Sequence, residues 1–391
     1  MLALRLARGA HPLVQLRRLL VAAASAGTGF LLLCTLAYAM EHPGGGAVLR
    51  LAWCVAPIAA TVYFAVAVAR TDPATRPRPG LSAVGLGPGR LMVLAAISTA
   101  VACTLGSLLA LLFFLHLRGD LSGLPFDGAE AELLAADRPL PLAAALTLLA
   151  LVPIIASVAS AVVLRPRPAK ASGAESGAAP AGEPDAPAPP PSGLPWGVAL
   201  LAAGLAVETY ASGSGGGTRG GFPMPGGADG SPAGVLAGWA LTALGLVLAG
   251  PGLTYLCGRI LQAVRPGALR LLAGRVLQEE ARRIGRPLGV LCAVASGAFA
   301  SVVLYAGPRP DVGPLTTLGA LLVAGCAVLT LATASVEARQ SRAHTTAALL
   351  RLGAPATMLR GSAALRTGAL AAVFGPLTWI VAQLAALPLG R

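Results

Sequence analysis

The sequence has no residues able to form the phosphate-binding loop that ATP hydrolysis commonly uses. A loop of the G-x-x-x-x-G-K-[ST] type needs a lysine that reaches the phosphates, followed by a serine or threonine. The 391 residues include a single lysine, Lys170, and Ala171 follows it. No such loop can form in this sequence, so any ATP-driven activity must be powered by another polypeptide.

Cysteine and histidine residues are too dispersed to predict a metal site, a disulfide framework or a catalytic nucleophile. The cysteines show no C-x-x-C spacing and lie in or beside apolar stretches, where thiols serve as small packing residues. The histidines form no H-E-x-x-H motif. These residues are Cys34, Cys54, Cys103, Cys257, Cys292, Cys326, His11, His42, His116 and His344. We therefore expect no cofactor, no metal and no enzymatic activity in this chain.

Glu208 is the only aspartate, glutamate, lysine or arginine inside nine long apolar stretches of the sequence. An ionisable group in hydrocarbon costs about 2.5–3.5 kcal/mol on insertion scales, so such a residue is a functional candidate by default. Two interpretations stay open. Glu208 lies on a transport or proton pathway, or its carboxylate reaches water, because it is only a few residues from the end of its stretch.

The composition and these apolar stretches predict a polytopic membrane protein. Hydrophobic residues make up 55% of the chain and charged residues 12%, whereas soluble proteins contain about 25% charged residues. A helix needs about 20 apolar residues to cross a hydrocarbon core of roughly 30 Å, and continuous runs favour helices over alternating strands. The runs are 19–40, 51–69, 91–117, 139–164, 195–211, 234–256, 287–306, 314–336 and 367–388. We therefore predict an all-α bundle of about nine transmembrane helices.

The distribution of positive charge predicts the orientation in the membrane. With the N-terminus in the cytoplasm, 23 of the 29 arginine and lysine residues fall in cytoplasmic segments, in accord with the positive-inside rule. The expected location is the cell membrane, inner or plasma. The net charge of +13 does not indicate nucleic-acid binding, because the arginines punctuate apolar runs. One alternative stays open: Ala37-Tyr38-Ala39 resembles a signal-peptidase site.

Two parts of the sequence carry similar residues at a constant spacing. Three pairs of matching residues, each 269 positions apart, lie at corresponding points of three successive apolar runs. The pairs are Arg17 with Arg286, Arg70 with Arg339, and Gly106 with Gly375. Matching residues in the same order indicate an internal duplication. The runs 195–211 and 234–256 then lie between the two copies.

The stretch 337–363 resembles the signature of FtsX-like (MacB-type) ABC transporter permeases. In that family a basic cytoplasmic segment with an LR-x-LGA-like core lies between two spans, and the core here is Leu350-Arg351-Leu352-Gly353-Ala354. The segment 70–91, which contains Val84-Gly85-Leu86-Gly87, resembles a degenerate first copy. The arrangement of four spans, two inserted spans and a second module also resembles the ten-span members of this family.

The resemblance implies a domain organisation, a function and a partner. The implied parts are a four-span module at 1–164, a Pro/Ala-rich cytoplasmic linker at 165–194, two inserted spans with a glycine-rich outer loop at 195–258, and a second, three-span module at 259–391. The implied function is a permease subunit that moves a hydrophobic or amphipathic substrate, using ATP hydrolysed by two copies of a separate ABC ATPase. A non-transporting membrane scaffold or regulator, and a secondary transporter, stay open as alternatives.

The resemblance also assigns residues to the surface that binds the ATPase. They are Arg339, Arg342, Leu350, Arg351, Leu352 and Gly353 in the second copy, with Arg70, Gly85, Gly87 and Arg90 in the first. Residues 339–352 are expected to form an amphipathic helix that stops at Gly353 and Pro355. A second amphipathic stretch, 269–286, is expected to lie at the membrane interface. For single arginines, anchoring a helix at the lipid headgroups remains the alternative.

Overall fold

A computed structural model shows that the chain is built from α-helices. It describes residues 12–42, 45–72, 88–121, 128–131, 134–165, 191–214, 233–263, 267–304 and 313–386, and these ranges contain no strand. The helices are α1 (Pro12–Glu41), α2 (Gly45–Trp53), α3 (Val55–Thr71), α4 (Pro88–Arg118), α5 (Leu142–Leu164), α6 (Leu194–Ser214), α7 (Ala233–Gln262), α8 (Ala268–Leu304), α9 (Pro314–Ser341), α10 (Ala343–Arg351) and α11 (Ala356–Ala386). The predicted all-α class is confirmed.

Within the described ranges, nine helical segments are long and apolar enough to cross a membrane. They correspond one to one to the nine predicted runs, which confirms the prediction of a multi-pass helical membrane protein. The shortest, Leu194–Ala211, has 18 residues. At 1.5 Å per residue it spans about 27 Å, close to the roughly 30 Å of a hydrocarbon core. The short helix α2 leads directly into α3, and α10 lies between α9 and α11.

Helices α1, α3, α4 and α5 pack into a first group. Their shared core includes Leu32 of α1, Phe64 of α3 and Val152 of α5, all buried. Gly106 allows α4 to approach α1, because a side-chain carbon at this position would overlap the carbonyl oxygen of Ala22. Small residues permit such close backbone approach between helices in a membrane.

Helices α6, α7, α8 and α11 form a second group, in which α7 packs along both α6 and α8. The backbones of α7 and α8 touch at Gly250, where a side-chain carbon would overlap the carbonyl oxygen of Gly285. Helix α11 packs against α8, and Phe374 and Cys292 share a buried cluster there. The two inserted spans are therefore integrated into this second group.

Helix α9 connects the two groups. It packs against α1 and α3 of the first group and against α8 of the second. In the contact with α3, the Thr61 hydroxyl oxygen lies 4.0 Å from the sulfur of Cys326. The same hydroxyl lies 2.8 Å from the hydroxyl of Thr28 in α1. All three side chains are buried, so a short chain of polar contacts joins α1, α3 and α9.

The helices of the predicted repeat pack in matching pairs. Helix α1 packs on α3 and α4, and α8 packs on α9 and α11. Phe30 of α1 forms an edge contact with Phe113 of α4. Phe299, which follows Phe30 by 269 residues, contacts Trp379 of α11 with ring centroids 5.4 Å apart. Each copy therefore has an aromatic contact between its first and third spans, and the partners Phe113 and Trp379 are 266 residues apart.

The stretch 269–286 differs from the expected interfacial helix. It forms the first half of α8, which has 37 residues and continues through Pro287. Ala273 and Leu277 in this half pack against Leu261 of α7 and Leu365 of α11, whereas Leu271 is 48% exposed. The side of the helix that carries Ala273 and Leu277 is therefore covered by protein. At 1.5 Å per residue α8 is about 55 Å long, roughly 25 Å longer than a hydrocarbon core.

One end of the bundle is rich in arginine because successive spans alternate in direction. We call it the arginine-rich end, and it carries Arg18, Arg70, Arg165, Arg259, Arg286 and Arg339. The first half of α8 extends beyond the apolar part of the bundle at this end.

Candidate functional site

The segment 342–353 connects α9 to α11 at the arginine-rich end. Helix α10 occupies most of it, so the helix predicted for 339–352 is present but is divided at Arg342. It stops where predicted, because Gly353 has a φ of +87°, a conformation that glycine adopts without strain. Pro355 comes two residues later and lacks the backbone N–H that a continuing helix would need.

Most of the side chains predicted to bind an ATPase are exposed on this segment. Leu352 is 85% exposed and Leu350 is 47% exposed. Arg351 between them is exposed as well, as is Arg339 in the last turn of α9. Exposed apolar patches that are rimmed by polar residues mark interaction sites. The segment therefore combines an apolar and a cationic surface in one place.

Arg342 differs from these neighbours because it forms an ion pair inside the protein. Its Nε atom lies 2.7 Å from Oε1 of Glu280 in α8. The Nε–H group donates its hydrogen bond to the Ala338 carbonyl oxygen at 2.9 Å, so the contact with Glu280 is electrostatic. Glu280 is buried, and a buried carboxylate needs such a counter-charge. Arg342 thus attaches the start of α10 to α8.

Glu280 was not among the residues predicted from the sequence, although a signal for it exists. It follows Ala273 by seven residues and Leu277 by three, a spacing that places all three on one face of a helix. The other two are buried apolar residues. A carboxylate on an apolar helix face is buried only when it is paired, so this pattern predicts a cationic partner on a neighbouring helix.

Two further ion pairs join helices at the arginine-rich end. The Nε atom of Arg283 in α8 lies 4.0 Å from Oε1 of Glu337 in α9. In the first group, a guanidinium nitrogen of Arg18 in α1 lies 2.5 Å from a carboxylate oxygen of Asp72, directly after α3. In each copy of the repeat, therefore, a salt bridge links the first span to the second at this end.

The first copy of the predicted docking surface is described only in part. Arg70 is exposed in the last turn of α3, and Arg90 is exposed in the first turn of α4. Gly85 and Gly87 lie outside the described residues. The continuous segment 339–353 of the second copy is therefore the part of the predicted surface that the structure describes as a whole.

Glu208 is buried in the contact between the two inserted spans, α6 and α7. The residue has 0% exposed surface, and its side chain lies against Gly238 of α7, where any side chain would collide with it. The Thr242 hydroxyl donates a hydrogen bond of 3.4 Å to Oε1. Oε2 has no hydrogen-bond partner among the described residues. In this conformation the carboxyl group does not reach water at the end of α6.

A groove of about 420 Å³ lies between α8 and α11. Its wall is mostly apolar, and its one hydroxyl, on Thr378, donates a hydrogen bond of 2.7 Å to the Phe374 carbonyl oxygen. Gly375 borders the groove, and no atom lies within 4 Å of the place that a side-chain carbon would take there. Gly106, its counterpart in the repeat, is in close contact with α1. The two equivalent helix pairs therefore differ in how tightly they pack.

The described residues contain no group of three or more His, Cys, Asp or Glu side chains that could hold a metal ion. The helices and their packing define a multi-pass α-helical membrane protein with an exposed amphipathic segment at its arginine-rich end. In comparisons with known proteins, no family model, no curated protein and no solved structure matches the chain. The likeness to FtsX-like permeases therefore rests on the sequence features alone.

Proposed function

We propose that this chain is the membrane permease subunit of an ABC transporter of the FtsX-like type, driven by a separate ATPase. The observation that carries the proposal is the exposed segment 339–353. It presents Leu350, Arg351 and Leu352 as exposed side chains at the arginine-rich end of the bundle. Such a surface suits a partner that combines an apolar pocket with acidic residues. On this proposal the arginine-rich end is cytoplasmic.

The contacts behind the segment support a mechanical role. The Arg342–Glu280 ion pair joins the start of α10 to α8, and α8 packs against α7, α9 and α11. A displacement of α10 by an ATPase would act on α8 and, through it, on three other helices. Contiguous packed helices of this kind are the physical route by which one site affects another.

The lining of the bundle supports a hydrophobic or amphipathic substrate. Apart from Glu208, the apolar runs contain no charged side chain. The groove between α8 and α11 is apolar and lies within the membrane-spanning helices. A strongly polar substrate would find few hydrogen-bond partners along these helices, whereas an acyl chain or another apolar group would lose no interactions there.

A proton-coupled secondary transporter is the second candidate, and one observation favours it. Glu208 is a buried carboxyl group, and one of its oxygens has no hydrogen-bond partner in the described part of the chain. Carboxyl groups of this kind serve as proton sites in transporters. Secondary transporters usually combine several ionisable groups near the bilayer midplane. The side chain seen to hydrogen-bond Glu208 is that of Thr242, which is not ionisable. Because Glu208 is not seen paired with a second ionisable group among the described residues, the ABC permease is the better supported proposal.

Binding and stimulation of an ATPase test the first proposal. An ABC ATPase encoded beside this chain is expected to co-purify with it and to hydrolyse ATP faster in its presence. Arg351→Glu and Leu352→Asp are each expected to reduce binding and stimulation at least tenfold, because they remove the charge or the apolar anchor. The matched control is Arg165→Glu, an exposed arginine at the same end, directly after α5.

Two results would contradict the proposal. If no Walker-A-containing ATPase binds the purified protein, a non-transporting scaffold or regulator becomes the better description. If an ATPase binds but Arg351→Glu, Leu352→Asp and Arg165→Glu all leave its stimulation unchanged, the docking surface has been placed on the wrong segment.

A further inference from the structure

The groove between α8 and α11 offers a bound molecule mainly apolar contacts. Two of its lining residues, Cys292 and Phe374, are buried members of one hydrophobic cluster. The Thr378 hydroxyl is already engaged, because it donates its hydrogen bond to the Phe374 carbonyl oxygen. A polar group that enters such surroundings loses its hydrogen bonds to water without compensation. The groove therefore suits an apolar occupant.

The groove opens toward the bilayer at the side of the bundle. Three of its lining residues, Ala295, Gly375 and Trp379, are exposed. They lie inside the apolar runs 287–306 and 367–388, so their exposed surface faces hydrocarbon. A molecule that is dissolved in the bilayer therefore reaches the groove without crossing protein.

The groove lies near the middle of the membrane. Its lining covers residues 374–382 of α11, and the centre of this range is within one residue of the centre of the apolar run 367–388. Its lining on α8 covers residues 288–299, centred about 4–5 Å from the middle of the run 287–306. The headgroups are about 15 Å from the middle of the core. At this depth an amphipathic molecule therefore presents its apolar tail, while its polar head stays with the headgroups.

The length of the groove favours an acyl chain. At 1.5 Å per residue its lining extends about 16 Å along α8 and about 12 Å along α11. One leaflet contributes about 15 Å to the hydrocarbon core, and this is the distance that one acyl chain of a bilayer lipid covers. A volume of about 420 Å³ is also within the range of ligand pockets.

The equivalent helices of the first copy, α1 and α4, are in closer contact. At Gly106 of α4 a side-chain carbon would overlap the carbonyl oxygen of Ala22 in α1, whereas at Gly375 of α11 no atom lies within 4 Å of its place. The aromatic contacts Phe30–Phe113 and Phe299–Trp379 are nevertheless present in both pairs. The open groove is therefore a feature of the second copy and not a general result of how these helices pair.

Both walls of the groove are attached to the segment that we propose to contact an ATPase. Helix α11 begins at Ala356, four residues after the end of α10 at Arg351. Helix α8 is joined to the start of α10 by the ion pair between Glu280 and Arg342. A displacement of α10 therefore acts on α8 and on α11, and it changes the distance between the two walls.

We propose that the groove between α8 and α11 binds the acyl chain of the transported molecule, which is then an amphipathic molecule with at least one unbranched chain. Naming this molecule the substrate rests on the proposed permease function, whereas the binding of an acyl chain does not. The contact gains dispersion attraction, because lining atoms without neighbours lose it. It gains little from the release of water, because the bilayer around the groove is apolar as well.

Photo-crosslinking of the purified chain in lipid nanodiscs tests the proposal. The probe is a phosphatidylcholine that carries a diazirine on one acyl chain, and peptide mass spectrometry locates the crosslinks. In the wild type they are expected to concentrate on groove residues such as Phe299 and Trp379. Gly375→Leu is expected to lower them about tenfold, because fitting a chain beside a leucine in the groove resembles the overpacking of a core. The protein itself leaves room for this side chain.

Gly297→Leu is the matched control. Gly297 is exposed at a similar depth on α8 and also has no atom within 4 Å of the place of a side-chain carbon, but it does not line the groove. This variant is expected to be labelled in the groove like the wild type. Thr378→Val is expected to behave in the same way, because the hydroxyl is bonded to the backbone. Unchanged melting temperatures show that each variant is folded.

Competition separates a substrate from a lipid that stays bound. An excess of unlabelled palmitoyl lysophosphatidylcholine, added before irradiation, is expected to lower the crosslinks on Phe299 and Trp379. A lipid that is a fixed part of the structure does not exchange with this competitor. Loss of labelling elsewhere on the surface measures the simple dilution of the probe and is subtracted.

Four results would overturn the proposal. They are wild-type labelling of the groove in Gly375→Leu, an equal loss in Gly297→Leu, no exchange with the competitor, and stronger labelling by a photoactivatable sterol, which would assign the groove to a rigid ring system. All measurements use this chain without an ATPase. A failure of binding therefore leaves the permease proposal standing, whereas the lack of an ATPase partner removes the permease proposal and leaves a groove that binds an acyl chain.

Discussion

The Nε atom of Arg342 lies 2.7 Å from Oε1 of Glu280, and this contact attaches the start of α10 to the long helix α8. Glu280 is buried, whereas the residues that follow Arg342 along α10 are mostly exposed. One end of the segment is therefore fixed to the bundle, and the rest projects from it. This arrangement suits a part that transmits a displacement from outside the membrane to the helices.

Arg342→Gln is expected to lower the melting temperature of the purified protein, because Glu280 would stay buried without its counter-charge. Removing one partner of a fully buried pair costs about 3–5 kcal/mol, and we expect about 2 kcal/mol here because Arg342 is partly exposed. Thermal unfolding in detergent measures the loss. The double variant Arg342→Gln/Glu280→Gln is expected to recover most of it.

Arg339→Gln is the control for this experiment. Arg339 lies three residues before Arg342 but is exposed and has no ion-pair partner among the described residues, so its loss is expected to leave the melting temperature unchanged. Equal effects of Arg339→Gln and Arg342→Gln would show that the ion pair with Glu280 adds nothing to stability.

Gly106 and Gly375 are expected to respond differently to the same substitution. Gly106→Ala places a carbon against the Ala22 carbonyl oxygen and should destabilise the protein by about 1–3 kcal/mol, as overpacking does. Gly375→Ala meets no atom within 4 Å, and alanine favours a helix over glycine by up to about 1 kcal/mol. Thermal unfolding of the two variants compares them directly, and equal losses would contradict the difference in packing.

Thr242→Val is expected to lower stability by about 1 kcal/mol, because it removes the hydroxyl that donates to Glu208. In a Glu208→Gln background the same substitution should cost a different amount, since neighbouring groups in one contact are not additive. A double-mutant cycle from thermal unfolding gives the coupling. Additive effects would mean that the 3.4 Å contact between Thr242 and Glu208 contributes nothing to the free energy of unfolding.

Glu208→Gln also distinguishes the two transport proposals. In an ABC permease the substitution is expected to leave substrate movement dependent on ATP and unchanged over a range of pH. In a proton-coupled transporter the amide would abolish coupling, because it cannot exchange the proton. Transport into vesicles at several pH values measures this, and a loss of pH dependence in the variant would favour the second proposal.

Thr345→Cys is expected to react with a membrane-impermeant maleimide only from the cytoplasmic side. Thr345 is exposed on α10, whereas all six native cysteines are buried and give little background. Thr317→Cys, an exposed threonine at the opposite end of α9, should react only from the outer side. Labelling of position 345 in intact cells would place α10 outside and remove the ATPase proposal.

The helices could be predicted from the sequence because each is determined by its own residues. A run of about 20 apolar residues is sufficient for a membrane-spanning helix, and Gly353 followed by Pro355 is sufficient to end α10. The division at Arg342 was not predicted. It coincides with the ion pair to Glu280, a residue 62 positions earlier in the chain, so no local pattern around Arg342 contains it.

The contacts between helices were harder to predict because they depend on which faces meet. The apolar face of 269–286 has the same sequence pattern whether it lies on a membrane surface or against α7 and α11. Glycines such as Gly250 allow the second arrangement, but glycine is so frequent in this chain, with 49 residues, that its positions alone do not reveal partners. The position of Glu208 along α6 can be read from the sequence. That its side chain is fully buried follows only from the packing of α6 against Gly238 of α7.

The position of helix α9 determines whether the chain can be cut into two independent fragments. By order along the chain it belongs with α8 and α11, yet it packs against α1 and α3 of the first group, where Cys326 contacts Thr61. If the polypeptide were cut between α5 and α6, the N-terminal fragment would lose this cover over α1 and α3. Neither fragment is a self-sufficient unit, so the two are expected to remain associated after cleavage and to require co-expression for stability.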